Sequence, residues 1–439
     1  MNKIKQFITA RRVSLGLILF LAGLMYLSTL IPQGIDATPE KIEAWRRVHS
    51  GLVWLVDVCN LHSIYSQPWF AASILFAALA LAISSYDQLL IARKKLYSTG
   101  ISSAEEVAEG ITDPCFRSVA RSHRYRILRT GGDRQLKFVR SCWGYFGNLL
   151  LHIGMALVIT MSLFVALTSR QGALILVEGE QRDSRQPWNA SDHGLLASPL
   201  KLPGAIRLDQ VRLRFDEKQQ PVEVFSDISV SDESGGIKSM TASINRTLHY
   251  HGMRIYHAAQ YGNAFSVTFT EKSGASHAET IAAQQPMSLT KAGYSDEFGV
   301  IWSPYLLSAK YYADSDRKSM QSTNPELVLR LTRGDKEIAR TTLRKGTSGM
   351  LGGYRVQLNG VRRWSKLIIV ESSGMPLVFA GFTIIKLGGL MHYMTPAREL
   401  IGIRQQDGSY RVYWKALSFR EFFVEERDEV AAELRKGSA

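Results

Sequence analysis

The sequence is poor in cysteine, and this disfavours two classes of function. It contains three cysteines, Cys59, Cys115 and Cys142, and no Cys-x-x-Cys pair. The missing pair argues against an autonomous thiol–disulfide motif and against a cysteine-ligated zinc site. The orientation derived below puts Cys59 outside and the other two in the reducing cytoplasm, so we expect no internal disulfide.

Charge is nearly absent from four long apolar runs. The mean hydropathy of the whole chain is close to zero, at -0.05, but this average hides an alternation of apolar runs with basic segments. Each run is about long enough to cross a bilayer as a helix. The first run has no small-x-small cleavage site after it, so we expect a retained anchor. The four runs are Val13–Ile31, Trp69–Ile91, Tyr145–Leu167 and Pro376–Met394.

Basic residues are unevenly placed between these runs, and this predicts their orientation. Lysine and arginine are concentrated before the first run, in residues 92–144 and after the fourth run. By the positive-inside rule, both termini and residues 92–144 face the cytoplasm, while residues 32–68 and 168–375 face outward. Much of the net charge of +14 lies in these basic segments beside the apolar runs, where it suits contact with anionic lipid. No nucleic-acid partner is therefore expected. We expect a multi-pass protein of a bacterial cytoplasmic membrane.

The pattern of residues 172–370 predicts β-strands, in contrast to the helices predicted for the membrane segments. Stretches rich in β-branched and aromatic residues, such as Ile206–Phe215 and Val222–Val230, alternate with glycine-containing turns such as Gly262-Asn263. The predicted fold class is therefore a membrane protein with four transmembrane helices and a large extracytoplasmic, antiparallel β-rich domain resembling a sandwich. The predicted segments are tail and first span 1–31, outer loop with an amphipathic helix 32–68, second span 69–91, basic cytoplasmic loop 92–144, third span 145–167, β-rich domain 168–375, fourth span 376–394 and cytoplasmic tail 395–439.

Several local patterns add detail to this plan. In the outer loop, Pro39 opens a stretch with apolar residues at helical spacing. Ser102–Glu106 is typical of a helix start, and the tail after Glu425 is typical of a short amphipathic helix. Residues 117–140 alternate as in a basic hairpin turning at Gly131-Gly132-Asp133, but we take them as a solvated positive-inside loop. Gly381, Gly388 and Gly389 in the fourth run predict close approach to another helix.

The third run carries one ionisable residue, His152, and the fourth carries Lys386. An ionisable group inside a membrane helix is costly and is a functional-site hypothesis by default. His152 is about seven residues from the cytoplasmic end of its run and Lys386 about eight from the end of its own, so both are roughly 10–12 Å deep.

Six segments along the chain carry a family resemblance. They are Leu30–Gln33 (LIPQ), Leu61–Phe70 (LHSIYSQPWF), Leu151–Gly154 (LHIG), Leu174–Glu180 (LILVEGE), Ile244–Tyr256 (INRTLHYHGMRIY) and Gly374–Leu377 (GMPL). In this order they resemble the ResB (CcsB) family of system II cytochrome c biogenesis proteins, and the resemblance extends over nearly the whole chain. Thr247, His257 and Ala397 depart from the family pattern, which has proline, glutamine and often histidine at these places.

The resemblance implies a function. Such proteins act with a CcsA (ResC)-type membrane partner to move haem across the membrane and attach it to Cys-x-x-Cys-His of apocytochromes. The partner's tryptophan-rich haem-handling motif is absent here, so the resemblance implies a non-autonomous subunit of a haem lyase. The alternative is a membrane-anchored β-domain that docks envelope proteins and binds no cofactor.

Each candidate site residue then has two interpretations. His152 is either an axial ligand to haem iron or a buried histidine bonded to a neighbouring helix. Lys386 either offsets a haem propionate or extends to the headgroups. The hypothesis that we carry forward has His152 and Lys386 flanking one haem position. His249, His251 and His257 have the same parity along a strand-like run. They either share a sheet face as a metal or haem site, unless Gly252 breaks the alternation, or are solvent-facing strand histidines, which is the interpretation we adopt.

Overall fold

The structure is a computed structural model that describes residues 2–36, 39–98, 100–130, 134–232, 235–295, 297–334 and 336–437. The chain forms two compact units. The first comprises Met1–Gly23, Pro68–Val165 and Gly374–Ala439. The second comprises Leu24–Gln67 and Ala166–Ser373.

Four helices are long and apolar enough to cross a membrane, as the sequence predicts, and they are joined by shorter helices and one-turn segments. The membrane candidates are Arg11–Leu30, Pro68–Tyr97, Cys142–Thr168 and Met375–Met394. In chain order the α-helices are α1 (Asn2–Ile8), α2 (Arg11–Leu30), α3 (Pro39–Val48), α4 (Val53–Val58), α5 (Pro68–Tyr97), α6 (Asp113–Ser122), α7 (Gly147–Thr168), α8 (Met375–Gly389) and α9 (Val424–Lys436).

All the strands pair antiparallel, in four sheets. The predicted fold class, four membrane helices and a large antiparallel β-rich domain, is confirmed. The strands are β1 (Glu105–Ile111), β2 (Arg126–Thr130), β3 (Gln135–Arg140), β4 (Arg170–Val177), β5 (Gln181–Asp183), β6 (Ala190–His193), β7 (Gly204–Phe215), β8 (Pro221–Asp232), β9 (Ile237–Ser243), β10 (Leu248–Tyr250), β11 (Met253–Thr270), β12 (Ser276–Gln284), β13 (Gly293–Tyr294), β14 (Phe298–Gly299), β15 (Leu306–Tyr312), β16 (Glu326–Arg333), β17 (Lys336–Arg344), β18 (Ser348–Leu351), β19 (Tyr354–Glu371), β20 (Arg398–Arg404) and β21 (Tyr410–Ala416).

In the first unit, the segment between α5 and α7 and the tail after α8 fold together. They form one sheet in the order β1-β21-β20-β3-β2, so strands from the tail lie between strands from the loop. Helices α6 and α9 cover one face, where Phe116, Trp414 and Leu434 are almost completely buried. We name this sheet with α6 and α9 the basal domain. The tail helix predicted near Glu425 is confirmed as α9.

Two local interpretations in the basal domain are corrected by the structure. The solvated loop expected at residues 117–140 is wrong, because β2 pairs with β3 in the alternative hairpin, whose proposed turn, Gly131-Gly132-Asp133, lies outside the described residues. The helix start at Ser102–Glu106 is wrong, because this segment leads into β1. Val107 and Ile111 are buried against the sheet, and pairing with β21 outweighs the local helix signal.

A buried ion pair fixes the end of α5 to the basal domain. Lys137 Nζ lies 2.9 Å from Glu399 Oε1 and donates hydrogen bonds to the carbonyl oxygens of Lys95 and Ser98 at 2.9 and 2.8 Å. Tyr145 donates a hydrogen bond to the same carboxylate. Burial lowers the pKa of the Lys137 amino group, and the ion pair with Glu399 opposes that effect. The cluster thereby connects the last turn of α5 with β3, β20 and the entrance of α7.

The second unit contains two β-sandwich cores that share the long strands β11 and β19. One core lies between the seven-stranded sheet and the four-stranded sheet β5-β7-β8-β9, and includes Leu174, Ile228 and Ile369. The other lies against the five-stranded sheet of β13 to β17 and includes Phe265 and Leu329. The pairing of β11 with β19 shifts register between His257 and Tyr261. Such an irregularity bends the strands, which lets one strand pair serve both cores.

The outer loop of the second unit contains the predicted short helix, but in two pieces. Helix α3 ends at Val48, a one-turn segment covers Ser50–Leu52, and α4 follows. Trp45 is half-buried, and its indole donates a hydrogen bond of 2.9 Å to the Leu30 carbonyl oxygen. Trp54 is exposed. One of the two tryptophans is therefore free to occupy an interface, while the other fastens the loop to the end of α2.

Candidate functional site

The candidate site is built on the close packing of α7 against α8. A Cβ atom added to Gly147 would lie 2.6 Å from the backbone nitrogen of His392, and one added to Gly154 would lie 2.8 Å from that of Ile385. On the facing helix, a Cβ atom on Gly388 would lie 2.7 Å from the backbone nitrogen of Leu151. These backbones can approach so closely only because glycine has no side chain.

Glycines recur along both sides of this helix contact. Gly147 and Gly154 belong to α7, and Gly381 and Gly388 belong to α8, with the same spacing along each helix. The prediction of close approach is confirmed for Gly381 and Gly388. It is wrong for Gly389, whose added Cβ would meet its nearest neighbour at 4.0 Å. Gly147 and Gly154 are members of the contact that the sequence analysis missed, although their spacing matches that of Gly381 and Gly388.

The contacts along this antiparallel pair put His152 and Lys386 at nearly the same depth. Gly147 meets His392, Leu151 meets Gly388 and Gly154 meets Ile385. One step forward along α7 therefore corresponds to one step back along α8, and Lys386 is level with the residue that follows His152. The difference in depth is about 1.5 Å, the rise of one residue.

His152 and Lys386 lie away from the glycine contact on their helices. His152 comes five residues after Gly147, and Lys386 comes five residues after Gly381. At about 100° per residue, five steps leave both Cα atoms about 140° from the glycine contact. Equal rotations on two antiparallel helices displace both positions towards the same face of the pair. The two positions thus lie on the outer sides of the α7–α8 pair and are displaced towards the same face.

The imidazole of His152 is held in one tautomer. The side chain is half-buried, and Nδ1 lies 3.0 Å from the backbone carbonyl oxygen of Asn148. A carbonyl oxygen only accepts, so Nδ1 carries the proton and donates it. The lone pair of the neutral ring is then on Nε2, which has no hydrogen-bond partner among the described residues. The Asn148 side chain itself donates a hydrogen bond of 2.8 Å to Gln88 Oε1 of α5.

The Lys386 side chain is exposed on α8. No hydrogen bond or ion pair connects it to another residue in the described part of the chain. An uncompensated lysine at this depth of a bilayer costs on the order of 3 kcal/mol on insertion scales. Its ammonium group is therefore available to an anionic group that binds on the same face of the pair as His152.

His249, His251 and His257 do not share a face, and His257 does not face solvent. His249 pairs with Arg254 across β10 and β11 and is exposed, and His251 lies in the turn between these strands with a positive φ of 46°. His257 is buried with the core side chains of β11 and is only 4% exposed. The chain reverses at His251 and Gly252, so parity counted along the sequence does not describe a single strand. The interpretation as one metal-binding face is wrong.

His257 belongs to a buried hydrogen-bond chain instead. Its Nδ1 donates to the backbone carbonyl oxygen of Ala258 at 2.6 Å, and Nε2 lies 2.9 Å from Ser226 Oγ. Ser226 Oγ lies 2.9 Å from Ser365 Oγ. Burial lowers the pKa of His257, so the ring is held neutral. This histidine has a structural role in the first sandwich core.

Comparison with known proteins shows the family of the chain. The model of the ResB-like family matches residues 11–421. The chain belongs to the ResB-like family. The match extends from the first membrane helix through β21 and ends before α9, so it includes the α7–α8 pair, the second unit and all five strands of the basal sheet.

Relatives of this ResB-like chain share the name cytochrome c biogenesis protein CcsB. The protein of Trichormus variabilis is 23% identical over 405 residues, which cover 88% of this chain and 83% of that protein. The protein of Thermosynechococcus vestitus is 24% identical over 373 residues, covering 82% and 79%. The protein of Synechococcus sp. strain WH7803 is 23% identical over 420 residues, covering 91% and 90%.

The thiols of this ResB-like chain are unpaired. Cys59 and Cys115 are half-buried, and Cys142 is exposed, and all three are free. Among the described residues, no group of three or more histidine, cysteine or acidic side chains forms a metal site. His152 and Lys386 thus remain the two candidate site residues, and Asn148 joins them as the residue that orients the imidazole.

Proposed function

We propose that this chain is a cytochrome c biogenesis protein, the haem-handling subunit of a system II cytochrome c synthetase. It helps to move haem across the bacterial cytoplasmic membrane and to attach it to Cys-x-x-Cys-His of apocytochromes, together with a CcsA (ResC)-type membrane partner. Membership in the ResB-like family and the similarity to cytochrome c biogenesis proteins named CcsB support this proposal. As a non-autonomous subunit, the chain contributes binding groups while the partner completes the site.

The observation that carries the proposal is the tautomer of His152. A metal-ligating histidine typically donates its other ring N–H to a carbonyl or carboxylate, which fixes the ring and raises the basicity of the free nitrogen. The hydrogen bond from His152 Nδ1 to the Asn148 carbonyl oxygen has this arrangement and leaves Nε2 free. The residue therefore fits an axial ligand to haem iron.

Lys386 completes the fit to haem. A propionate is an anion, and Lys386, with its exposed ammonium group, lies at nearly the same depth as His152 and is displaced towards the same face of the helix pair. Bound haem supplies an iron for the imidazole and a carboxylate for the ammonium. The two residues hold and orient the substrate, and the chain needs no acid or base of its own for this role.

The interleaved basal sheet supports the orientation predicted from charge. Because β3 of the loop pairs with β20 of the tail, the loop and the tail must lie on the same side of the membrane. Their arginines and lysines make this the cytoplasmic side. We therefore assign both termini to the cytoplasm and the β-rich second unit to the extracytoplasmic side.

The test is His152→Ala in the full-length chain, produced together with its membrane partner. We expect loss of the haem absorption spectrum from the purified complex and loss of covalent haem in c-type cytochromes, with an unchanged amount of protein in the membrane. Added imidazole is expected to restore part of the spectrum by supplying the missing ligand. The matched control is Ile153→Ala, which removes an exposed side chain from the next position of α7. Unchanged haem content in His152→Ala would contradict the ligand assignment and favour the cofactor-free docking scaffold.

A further inference from the structure

The basal domain contains a large basic cavity that the proposed function does not use. Its volume is about 810 Å³. Five arginines line it, and we call it the arginine cavity. They are Arg121, Arg124, Arg126, Arg140 and Arg398.

Most of this positive charge is not neutralised within the described part of the chain. Glu426 pairs with Arg140 at 3.3 Å and with Arg398 at 2.6 Å. The remaining three arginines of the cavity are exposed and form no ion pair with any described residue. The cavity therefore presents three exposed guanidinium groups without an internal counter-charge towards one space, which favours the binding of an anion.

Arg398 differs from the exposed arginines of the cavity because it is held in place. It is only 7% exposed, and its Nε is buried without a hydrogen-bond partner among the described residues. The other two guanidinium nitrogens are satisfied by Glu426 and by Ser141 Oγ at 3.2 Å. Arg398 therefore forms a fixed part of the cavity wall.

The cavity opens where two membrane helices end. Its lining includes Cys142 and Trp143 at the start of the third span and Thr395 just beyond the fourth. The Trp143 side chain is 49% exposed, and its indole donates a hydrogen bond of 3.0 Å to Thr395 Oγ1. Ile127 and Leu128 add exposed apolar surface to the same lining. Tryptophan beside basic and apolar groups is typical of the headgroup level of a bilayer.

We propose that the arginine cavity binds the headgroup phosphate of an anionic phospholipid from the adjoining leaflet. Guanidinium groups match phosphate oxygens in charge and geometry, and basic pockets beside the cytoplasmic ends of membrane helices recognise anionic headgroups. The free arginines contact the phosphate, while Trp143, Ile127 and Leu128 face the interfacial part of the lipid. This site is distinct from His152 and Lys386, and its occupation requires no haem.

The test uses the full-length protein, purified in a neutral detergent and depleted of lipid. Dioctanoylphosphatidylglycerol, dioctanoylphosphatidylcholine and sodium phosphate are titrated separately, and bound lipid is measured by native mass spectrometry together with the unfolding temperature. We expect the phosphatidylglycerol to bind and raise the unfolding temperature, and the other two probes to have little effect. In Arg121→Gln/Arg124→Gln/Arg126→Gln, we expect the affinity for phosphatidylglycerol to fall by about tenfold or more.

A control variant removes the same charge elsewhere. Arg333, Lys345 and Arg355 are exposed residues of the second unit without an ion pair in the described part of the chain. The triple glutamine variant at these positions should bind phosphatidylglycerol as the wild type does. Equal affinity of the cavity variant and the wild type would overturn the proposal. Equal binding of sodium phosphate would also overturn the proposal, because it would indicate a soluble ligand. Binding of haemin without binding of the lipid would overturn it as well.

Discussion

At the residue scale, the chain shows how the function of a histidine depends on what its second nitrogen does. His152 and His257 both donate Nδ1–H to a backbone carbonyl oxygen. In His257 the remaining nitrogen is used by Ser226 inside a core, whereas in His152 it has no partner among the described residues. The same tautomer therefore gives a structural histidine in one place and a candidate ligand in the other.

Lys386→Leu is expected to weaken haem retention without abolishing it, because the lysine is assigned to a propionate and not to the iron. The measurement is the rate of haem loss from the purified complex to an excess of apomyoglobin. Lys386→Arg, which keeps a positive charge, is the matched control and should retain haem nearly as well as the wild type. Haem loss in Lys386→Leu as complete as in His152→Ala would contradict this division of roles.

His257 predicts a pH dependence of stability. Burial lowers its pKa below the ordinary value of 6.5, so near and below this pH the unfolded chain binds more protons than the folded chain. The free energy of unfolding should therefore fall as the pH is lowered through 6.5 towards the pKa of the folded state. The measurement is the denaturant concentration at which half of the purified protein is unfolded, determined between pH 8 and pH 5.

His257→Gln is expected to reduce this loss of stability at acid pH, because glutamine, the residue of the family pattern at this position, does not titrate. His249→Gln removes an exposed histidine from the neighbouring strand and should leave the pH dependence unchanged. Identical pH profiles for the wild type and His257→Gln would show that other groups cause the effect.

At the element scale, the α7–α8 pair is defined by the absence of side chains at the contact. The glycines bring the two backbones together, and the register of that contact sets the relative depth of His152 and Lys386. A shift of one helix by one residue would change this depth by about 1.5 Å and would rotate one of the two groups by about 100°. The glycine contact thus positions the candidate site, although none of the glycines belongs to it.

Two adjacent glycines of α8 allow a direct test of this packing. In Gly388→Ala the new methyl group meets the backbone of α7, and we expect a loss of roughly 1–3 kcal/mol in the free energy of unfolding. In Gly389→Ala the methyl group has room, and the higher helix propensity of alanine should leave stability unchanged or slightly increased. The unfolding temperature in a mild detergent distinguishes the two variants, and equal temperatures would contradict the role given to the contact.

At the scale of the whole molecule, the loop before α7 and the tail after α8 are one folded domain. Strand β20 of the tail pairs with β3 of the loop on one edge and with β21 on the other. The charge distribution alone leaves these segments as two separate basic stretches. Their joint sheet means that truncation after α8 removes the centre of a domain and not merely a tail.

Reporter fusions test the assigned orientation. Fusions at Gly235 and Gly334 should be active only with an extracytoplasmic reporter, and those at Gly132 and Gly408 only with a cytoplasmic one, because the basic segments remain inside. Gly132 lies outside the described residues, while Gly408 lies in the turn between β20 and β21. An active cytoplasmic reporter at Gly235 would overturn the orientation and the function that depends on it.

The sequence by itself determined the membrane spans, the β-rich class of the second unit, the tail helix and the positions of His152 and Lys386 inside membrane helices. These features follow from composition and periodicity, which act over short stretches of chain. The tertiary structure alone decided that Ser102–Glu106 enters a strand, that His257 is buried, and that loop and tail share a sheet. It also brought Gly147 to His392 and thereby His152 level with Lys386, because partners far apart in the chain meet only when the helices pack.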